Sequence, residues 1–217
     1  TYLEAMSQGC LVIGSRNEGI DGIIIDKKNG FLVDSNNCNE LSQKIIEINL
    51  LNYNKREESV KNAISTINKL SSEEVAKQYF YEGYACSQAI VLAFSDLVDI
   101  DKEQLKKISL PFGGGIGRLR LTCGAYSGML MISSLLFSNY EDVEENKLKT
   151  YEIVRELAKR FEKELGTISC KELLEKVNII PEIGGNPEKR TNEYYKKRPC
   201  GKIVYIASKI LEDYLIE

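Results

Sequence analysis

The sequence predicts a mainly α protein in which a helical, cysteine-bearing region follows a short α/β segment. Three observations point there. Beyond residue 71, apolar residues recur at helical spacing between capping pairs and glycine stops, almost to the end of the chain. Before it, short apolar runs separated by Gly and Asn read as strands, and two helices follow them. The four cysteines of the second region, Cys86, Cys123, Cys170 and Cys200, each stand at, or within a turn of, a helix start. The boundary falls near Leu70–Ser71, giving segments 1–70 and 71–217.

In the first segment the run CLVIG at 10–14 has the pattern of a short buried strand. The runs at 22–26 and 30–34 flank Lys27-Lys28-Asn29 and read as a hairpin closed by Asn-Gly. Helices are expected over 39–51, with Leu41, Ile45 and Ile48 on one face, and over 55–69. In the second segment Ser71 and Glu74 form a capping box for a helix through Tyr81, ended by Gly83. A helix over 86–97 follows. Asp101 caps the next, over 102–110. Pro111 stops it, and the glycine-rich loop FGGGIG at 112–117 comes after. A long apolar helix starts near Cys123 and ends by Ser138. The stretch 145–165 carries Tyr151, Val154, Leu157 and Phe161 at helical spacing, with Gly166 as its C-cap. Ser169 with Glu172 is a second capping box and puts Cys170 in a first turn. Residues 179–198 read as a polar irregular loop, and Pro199 opens a last helix over 200–216.

At 217 residues the chain has room for one or two domains. A formal net charge of −3 and a pI near 5.4 provide no global field for nucleic acid or membrane surfaces. The longest apolar run, near 129–137, is far too short to cross a bilayer. No export signal is visible, and the chain enters a motif directly at Thr1, so its N-terminus reads as cut. Its six cysteines are spaced by tens of residues and include no C-x2-C pair. Reduced, cytoplasmic thiols fit that spacing better than a disulfide scaffold.

A helix start offers unpaired N–H groups and the positive end of the dipole, and both favour a thiolate over a thiol. With no histidine in the chain, sulfur is the candidate working element. Around Cys123 lie Gly113, Gly114 and Gly115, which let backbone approach closely, and then Arg118 and Arg120. Those charges are expected to lower the Cys123 pKa. Gly124 and Gly128 leave one face of the following helix nearly bare, so a second helix or a second cysteine can come close. Cys170 precedes Lys171, and Cys200 follows Lys196-Lys197-Arg198-Pro199. Two chemistries fit: a reversible disulfide in which Cys123 attacks as thiolate, or four sulfurs converging as ligands of an iron–sulfur cluster or a zinc ion. A helical interaction domain with buried, inert cysteines stands against both.

Residues 72–217 resemble the C_GCAxxG_C_C family of redox-active proteins. The likeness rests on Gly83, Cys86-Ser87-Gln88-Ala89, the 112–117 glycine loop, Cys123-Gly124-Ala125-Tyr126-Ser127-Gly128, Phe161, Gly166, Cys170-Lys171-Glu172-Leu173-Leu174 and Cys200. It implies a redox role for the four cysteines and a redox partner of unknown identity. A related helical module occurs in split-Soret cytochromes, but without a CxxCH motif or histidine this chain is expected to hold no haem. Residues 1–69 are similar to the end of the C-terminal domain of group-1 (GT-B) glycosyltransferases, through Leu3-Glu4-Ala5-Met6, Gly9, the strand at 11–13 and the NGFLV run at 29–33. That resemblance implies a truncated, Rossmann-like α/β piece in which Glu4 would contact a nucleotide-sugar ribose and the loop near Gly19 would border the donor phosphates. The acceptor half is missing, so sugar transfer by this chain alone is not expected. An open apolar face on this piece is expected to pack on the helical domain or on another chain, which leaves a homo-oligomer open.

Overall fold

The computed structural model describes residues 2–18, 20–67, 70–138 and 141–217. They gather into two compact units, Thr1–Ser71 and Ser72–Glu217.

The first unit contains α1 (Tyr2–Ser7), β1 (Ile13–Ser15), β2 (Phe31–Val33), α2 (Cys38–Leu50) and α3 (Tyr53–Ile67). The strands pair in parallel, Ile13 opposite Phe31 and Ser15 opposite Val33. This corrects the expected hairpin. The tight turn after Asp26 does form, with the Lys27 N–H donating to Gly30 O at 2.8 Å. The stretch before it is not a strand. Its polar groups are met instead by the buried Asn29 side chain, which accepts from the Ile25 N–H at 2.6 Å and donates to Ile23 O at 2.9 Å. Phe31, Leu32 and Val33 are all buried, the pattern of a strand covered on both faces rather than of a hairpin arm. In α2 the expected inner face is turned out: Leu41 and Ile45 are exposed, and only Lys44 of the helix is buried. Glu4 lies half-buried on α1. Gly19 and Lys69 lie outside the described residues.

The second unit runs α4 (Ser72–Tyr81), α5 (Cys86–Ala93), α6 (Lys102–Ser109), a single turn α7 (Gly113–Ile116), α8 (Gly124–Phe137), α9 (Val143–Leu165), α10 (Cys170–Glu175), α11 (Asn192–Lys197) and α12 (Cys200–Ile216). Short 3-10 turns occupy Ser95–Leu97 and Leu110–Phe112, so the helix expected over 86–97 stops at Ala93. A further difference is α11, inside the stretch read as irregular: Thr191 Oγ1 accepts from the Tyr194 N–H at 3.2 Å and caps it. The caps expected at Asp101, Ser169 and Gly166 form, and Asp142 adds another, whereas among the described residues no side-chain cap from Ser71 is seen on α4. Asp101, Asp142 and Ser169 each accept from the backbone N–H three residues on, and Gly166 ends α9 at φ 82°.

The core lies where α5 is enclosed. Ser87 to Leu92 are all buried, and α5 packs against α4, α6, α8 and α12. Burying each of Ile90, Val91 and Leu92 contributes about 1.5–3 kcal/mol before entropy is counted. Ser87 Oγ donates to Ser109 O at 2.7 Å and Gln88 Nε2 to Lys106 O at 2.9 Å, tying α6 to the same helix. In α9 the apolar stripe is buried at Leu157 and Phe161, while Tyr151 stays exposed near the N-terminal end. On the other side α12 lies along α4, where the Glu212 carboxyl faces the buried Glu73 carboxyl.

The α5–α8 approach depends on Gly128. A Cβ there would stand 2.8 Å from Ile90 Cβ and 2.9 Å from Ser87 O. Gly128→Ala must therefore push the two helices apart, and is expected to destabilise the fold by about 1–3 kcal/mol, read as a lower denaturant midpoint. At Glu212, desolvation and the hydrogen bond shared with Glu73 raise the carboxyl above its ordinary value. A raised acid contributes its full stability below the unfolded value and loses it as pH climbs through the folded one. Glu212→Gln is accordingly expected to raise the melting temperature at neutral pH and to lose that gain below the ordinary carboxylate range.

Candidate functional site

Four helix beginnings bring their cysteines to one cavity of about 470 Å³ in the second unit. Cys86, Cys170 and Cys200 are the first residues of α5, α10 and α12, and Cys123 is the N-cap of α8. Local rules place each of them. Gln88 Oε1 accepts from the Ala85 N–H at 3.0 Å and fixes the start of α5, while the Ser169 cap fixes α10.

A short backbone ladder holds two of the thiols side by side. Thr122 bridges Ser169 in antiparallel fashion, the Cys123 N–H donates to Ile168 O at 2.8 Å, and the Cys170 N–H donates to Leu121 O at 2.6 Å. The glycine loop then closes against Cys170. Gly115 has φ +72°, and a Cβ on it would lie 2.6 Å from Cys170 Cβ. Gly124 brings the α8 start against α5, where its Cβ position is 3.4 Å from Cys86 Cβ. The small residues named from sequence thus let backbone and cysteines approach in the way their size permits.

Arg118 and Arg120 do something other than expected. Their side chains reach the loop after α10: Arg118 Nε donates to Gly184 O at 2.7 Å and Arg120 Nε to Glu182 O at 2.9 Å. Arg118 also pairs with the Glu182 carboxylate at 3.2 Å. Cys123, only 5 % exposed, is not made acidic by them. Burial, with Cys170 close by, pushes its thiol up to about 12. The expectation that Cys123 is the thiolate is overturned, because desolvation outweighs the α8 N–H groups that face it. Burial, then Cys200, also raises Cys170, against the opposing pull of the Arg120 guanidinium.

The acidic thiol is Cys200. The Cys86 S–H donates a hydrogen bond to it, and Arg198, Arg190 and Arg120 surround it with positive charge, so that it is lowered to about 7 despite burial. Cys86 moves the opposite way, held protonated by that same hydrogen bond and by burial. The Cys86–Cys200 pair is therefore a protonated thiol donating to the more acidic of the two sulfurs. All six cysteines are free. A four-sulfur ligand set is not formed: among the described residues no three Cys, Asp or Glu side chains stand together so as to hold a metal ion.

Sequence reasoning missed two arginines. Arg190 lies in the stretch read as structureless, and nothing local marks it. Its guanidinium stacks over Phe80 at 4.7 Å and Tyr194 at 4.9 Å from the ring centroids. In the sequence Arg198 is one of a basic run. Its side chain turns inward, pairs with Glu188 and stacks on Tyr194 at 4.9 Å. Glu4 is not among the residues that line this cavity.

A helical protein that gathers four thiols and several arginines at one cavity is the class these features define. Residues 84–214 match the family described as "Putative redox-active protein (C_GCAxxG_C_C)", more than half of the chain, and the chain belongs to that family. Residues 1–66 match glycosyl transferases group 1. Comparison with curated proteins and with solved structures returned no match. No helix among the described residues is long and apolar enough to cross a membrane.

Peptide-resolved alkylation across a pH series measures the thiolate directly. Cys200 is expected to react with a midpoint near 7 and Cys123 only in strong alkali. Cys86→Ala removes the donated hydrogen bond and Arg198→Gln a compensating charge, so both move the Cys200 midpoint upward.

Proposed function

We propose that the helical unit is a thiol–disulfide redox protein, with Cys200 as nucleophile and Cys86 as the resolving thiol. The hydrogen-bonded Cys86–Cys200 pair, in which only Cys200 is acidic, supports this reading above all else. A thiol with a pKa near the ambient pH combines a large thiolate fraction with good intrinsic nucleophilicity, which is the optimum for exchange. The Cys86 hydrogen bond and the surrounding arginines lower Cys200 towards that optimum.

The chemistry balances with an incoming disulfide as oxidant. Cys200 Sγ attacks one sulfur, the substrate S–S bond breaks, and the other sulfur leaves as a thiolate. That leaving group takes the Cys86 proton. Cys86 Sγ then attacks Cys200 Sγ, closes the bond between the two cysteines and expels the remaining substrate sulfur as a second thiolate. Two protein thiols are oxidised and one disulfide is reduced. Once Cys200 is bonded to substrate, Cys86 loses the thiolate that kept it protonated, so the resolving thiol becomes easier to ionise at the step that needs it. Cys123 and Cys170 stay protonated in the wall of the same cavity. A reducing, cytoplasmic setting suits the six free thiols.

Trapping distinguishes the roles. After treatment with a small disulfide, peptide mapping is expected to find a Cys86–Cys200 linkage in the parent chain. Cys86→Ser is expected to stall as a mixed disulfide on Cys200, and Cys200→Ser to abolish capture in the cavity. A mixed disulfide accumulating on Cys123 in the parent chain would overturn the assignment.

A further inference from the structure

The arginines around the cavity are not all balanced. Arg118 is met by Glu182 and Arg198 by Glu188. Arg120 and Arg190 have no carboxylate partner among the described residues, and both line the cavity. Arg120 is only 5 % exposed. Its Nε is used by Glu182 O, while its Nη2 is buried without a hydrogen-bond partner. Arg190 is clamped between aromatic rings, with one long contact from Nη2 to Tyr84 O at 3.5 Å, and its Nη1 is likewise buried and unpartnered. The Cys200 thiolate offsets one of these two charges when reduced, and neither once it is in a disulfide. A buried guanidinium nitrogen without a partner is costly, and the cheapest remedy is an anion that enters the site.

The rest of the cavity limits what carries that anion. Its volume suits a small molecule rather than a protein segment. Leu110, Leu173, Leu174 and Ile203 supply apolar wall beside the charges. The loop that holds Arg120 is preformed at a cost: Ile116, Arg118 and Arg120 adopt φ values of 60°, 68° and 62°, in the left-handed region. The loop so formed holds the guanidinium between Glu182 O and Cys170.

We infer that Arg120 and Arg190 form a subsite for a carboxylate-type anionic group, and that the disulfide reduced in this cavity is a small anionic one. The inference rests on the dithiol reading for its second half only. The subsite stands or falls on binding.

Two measurements separate them, both in a Cys10→Ser/Cys38→Ser background, which removes the exposed thiols. The first is calorimetric binding of 3,3′-dithiodipropionate to the redox-inert Cys86→Ser/Cys200→Ser chain. Binding is expected, with affinity reduced roughly tenfold or more in Arg190→Gln and in Arg120→Lys, as for loss of a charge-assisted hydrogen bond. The lysine variant keeps the charge of Arg120 should its neutral replacement fail to fold. No binding, or binding indifferent to both arginines, overturns the subsite. The second compares reaction of the thiol-competent chain with 3,3′-dithiodipropionate and with the neutral bis(2-hydroxyethyl) disulfide. The ratio of rates cancels any change in thiolate fraction. A ratio favouring the dianion at least tenfold and collapsing towards one in Arg190→Gln supports the substrate class; a ratio near one that ignores Arg190 overturns it. Binding without reaction of either disulfide would remove the dithiol reading and leave the subsite.

Discussion

A thiolate is held inside a folded protein only where something meets its charge, and the cavity of this chain is organised around that constraint. Four cysteines face it, yet only Cys200 is provided for. It receives a hydrogen bond from Cys86, stands at the start of the 17-residue α12, and has three guanidinium groups near it. Cys123 is as well placed by sequence, at the head of a long helix with two arginines just upstream. It ends up neutral because those arginines point elsewhere and its thiol is buried. The helix N-terminus is common to all four; the direction in which the cations point is not. At this site the hydrogen bond donated by Cys86, with the arginines behind it, separates Cys200 from the other three sulfurs, and the helix dipole alone does not.

Close approach is the second requirement, and it explains the glycines. Two hydrogen-bonded sulfurs require the starts of α5 and α12 to converge, while α8 must press on α5 from the other side. Gly124 and Gly128 remove the side chains that would hold α5 and α8 apart, and Gly115 lets the arginine loop lie on Cys170. Packing and reactivity are therefore one problem here. A side chain added at these positions would move cysteines, not merely strain a core.

What was legible in the sequence divides along the same line. Helix existence, most caps and the gathering of four helix starts were legible because they depend on periodicity and on residues within one turn. The α11 helix was missed although Thr191 is an ordinary cap, since prolines and glycines upstream dominated the reading of that stretch. The NG turn was legible but its partner was not: the pairing of β2 with β1 is decided by burial of both faces of β2 and by Asn29 satisfying the backbone of the intervening loop. Least legible were the arginines. Proximity in sequence puts Arg118 and Arg120 with Cys123, whereas the left-handed loop carries them past it, and Arg190 stands 10 residues before Cys200, just ahead of α11, at the end of an irregular stretch.

The same electrostatics sets a direction for the redox couple. On the dithiol reading, stabilising the Cys200 thiolate stabilises the reduced state, because the charge that faces Arg120 and Arg190 vanishes when the disulfide closes. A couple whose reduced form is favoured in this way is the more oxidising one, prone to give up its disulfide. An anion seated on Arg120 and Arg190 acts the other way, since it replaces the lost negative charge and removes part of the penalty of oxidation. After two anionic thiols have left, the empty oxidised cavity carries two unmatched guanidinium groups, and that state favours either a fresh anion or return to the dithiol. On the proposed dithiol reading, product release and reduction of the disulfide would be coupled through Arg120 and Arg190.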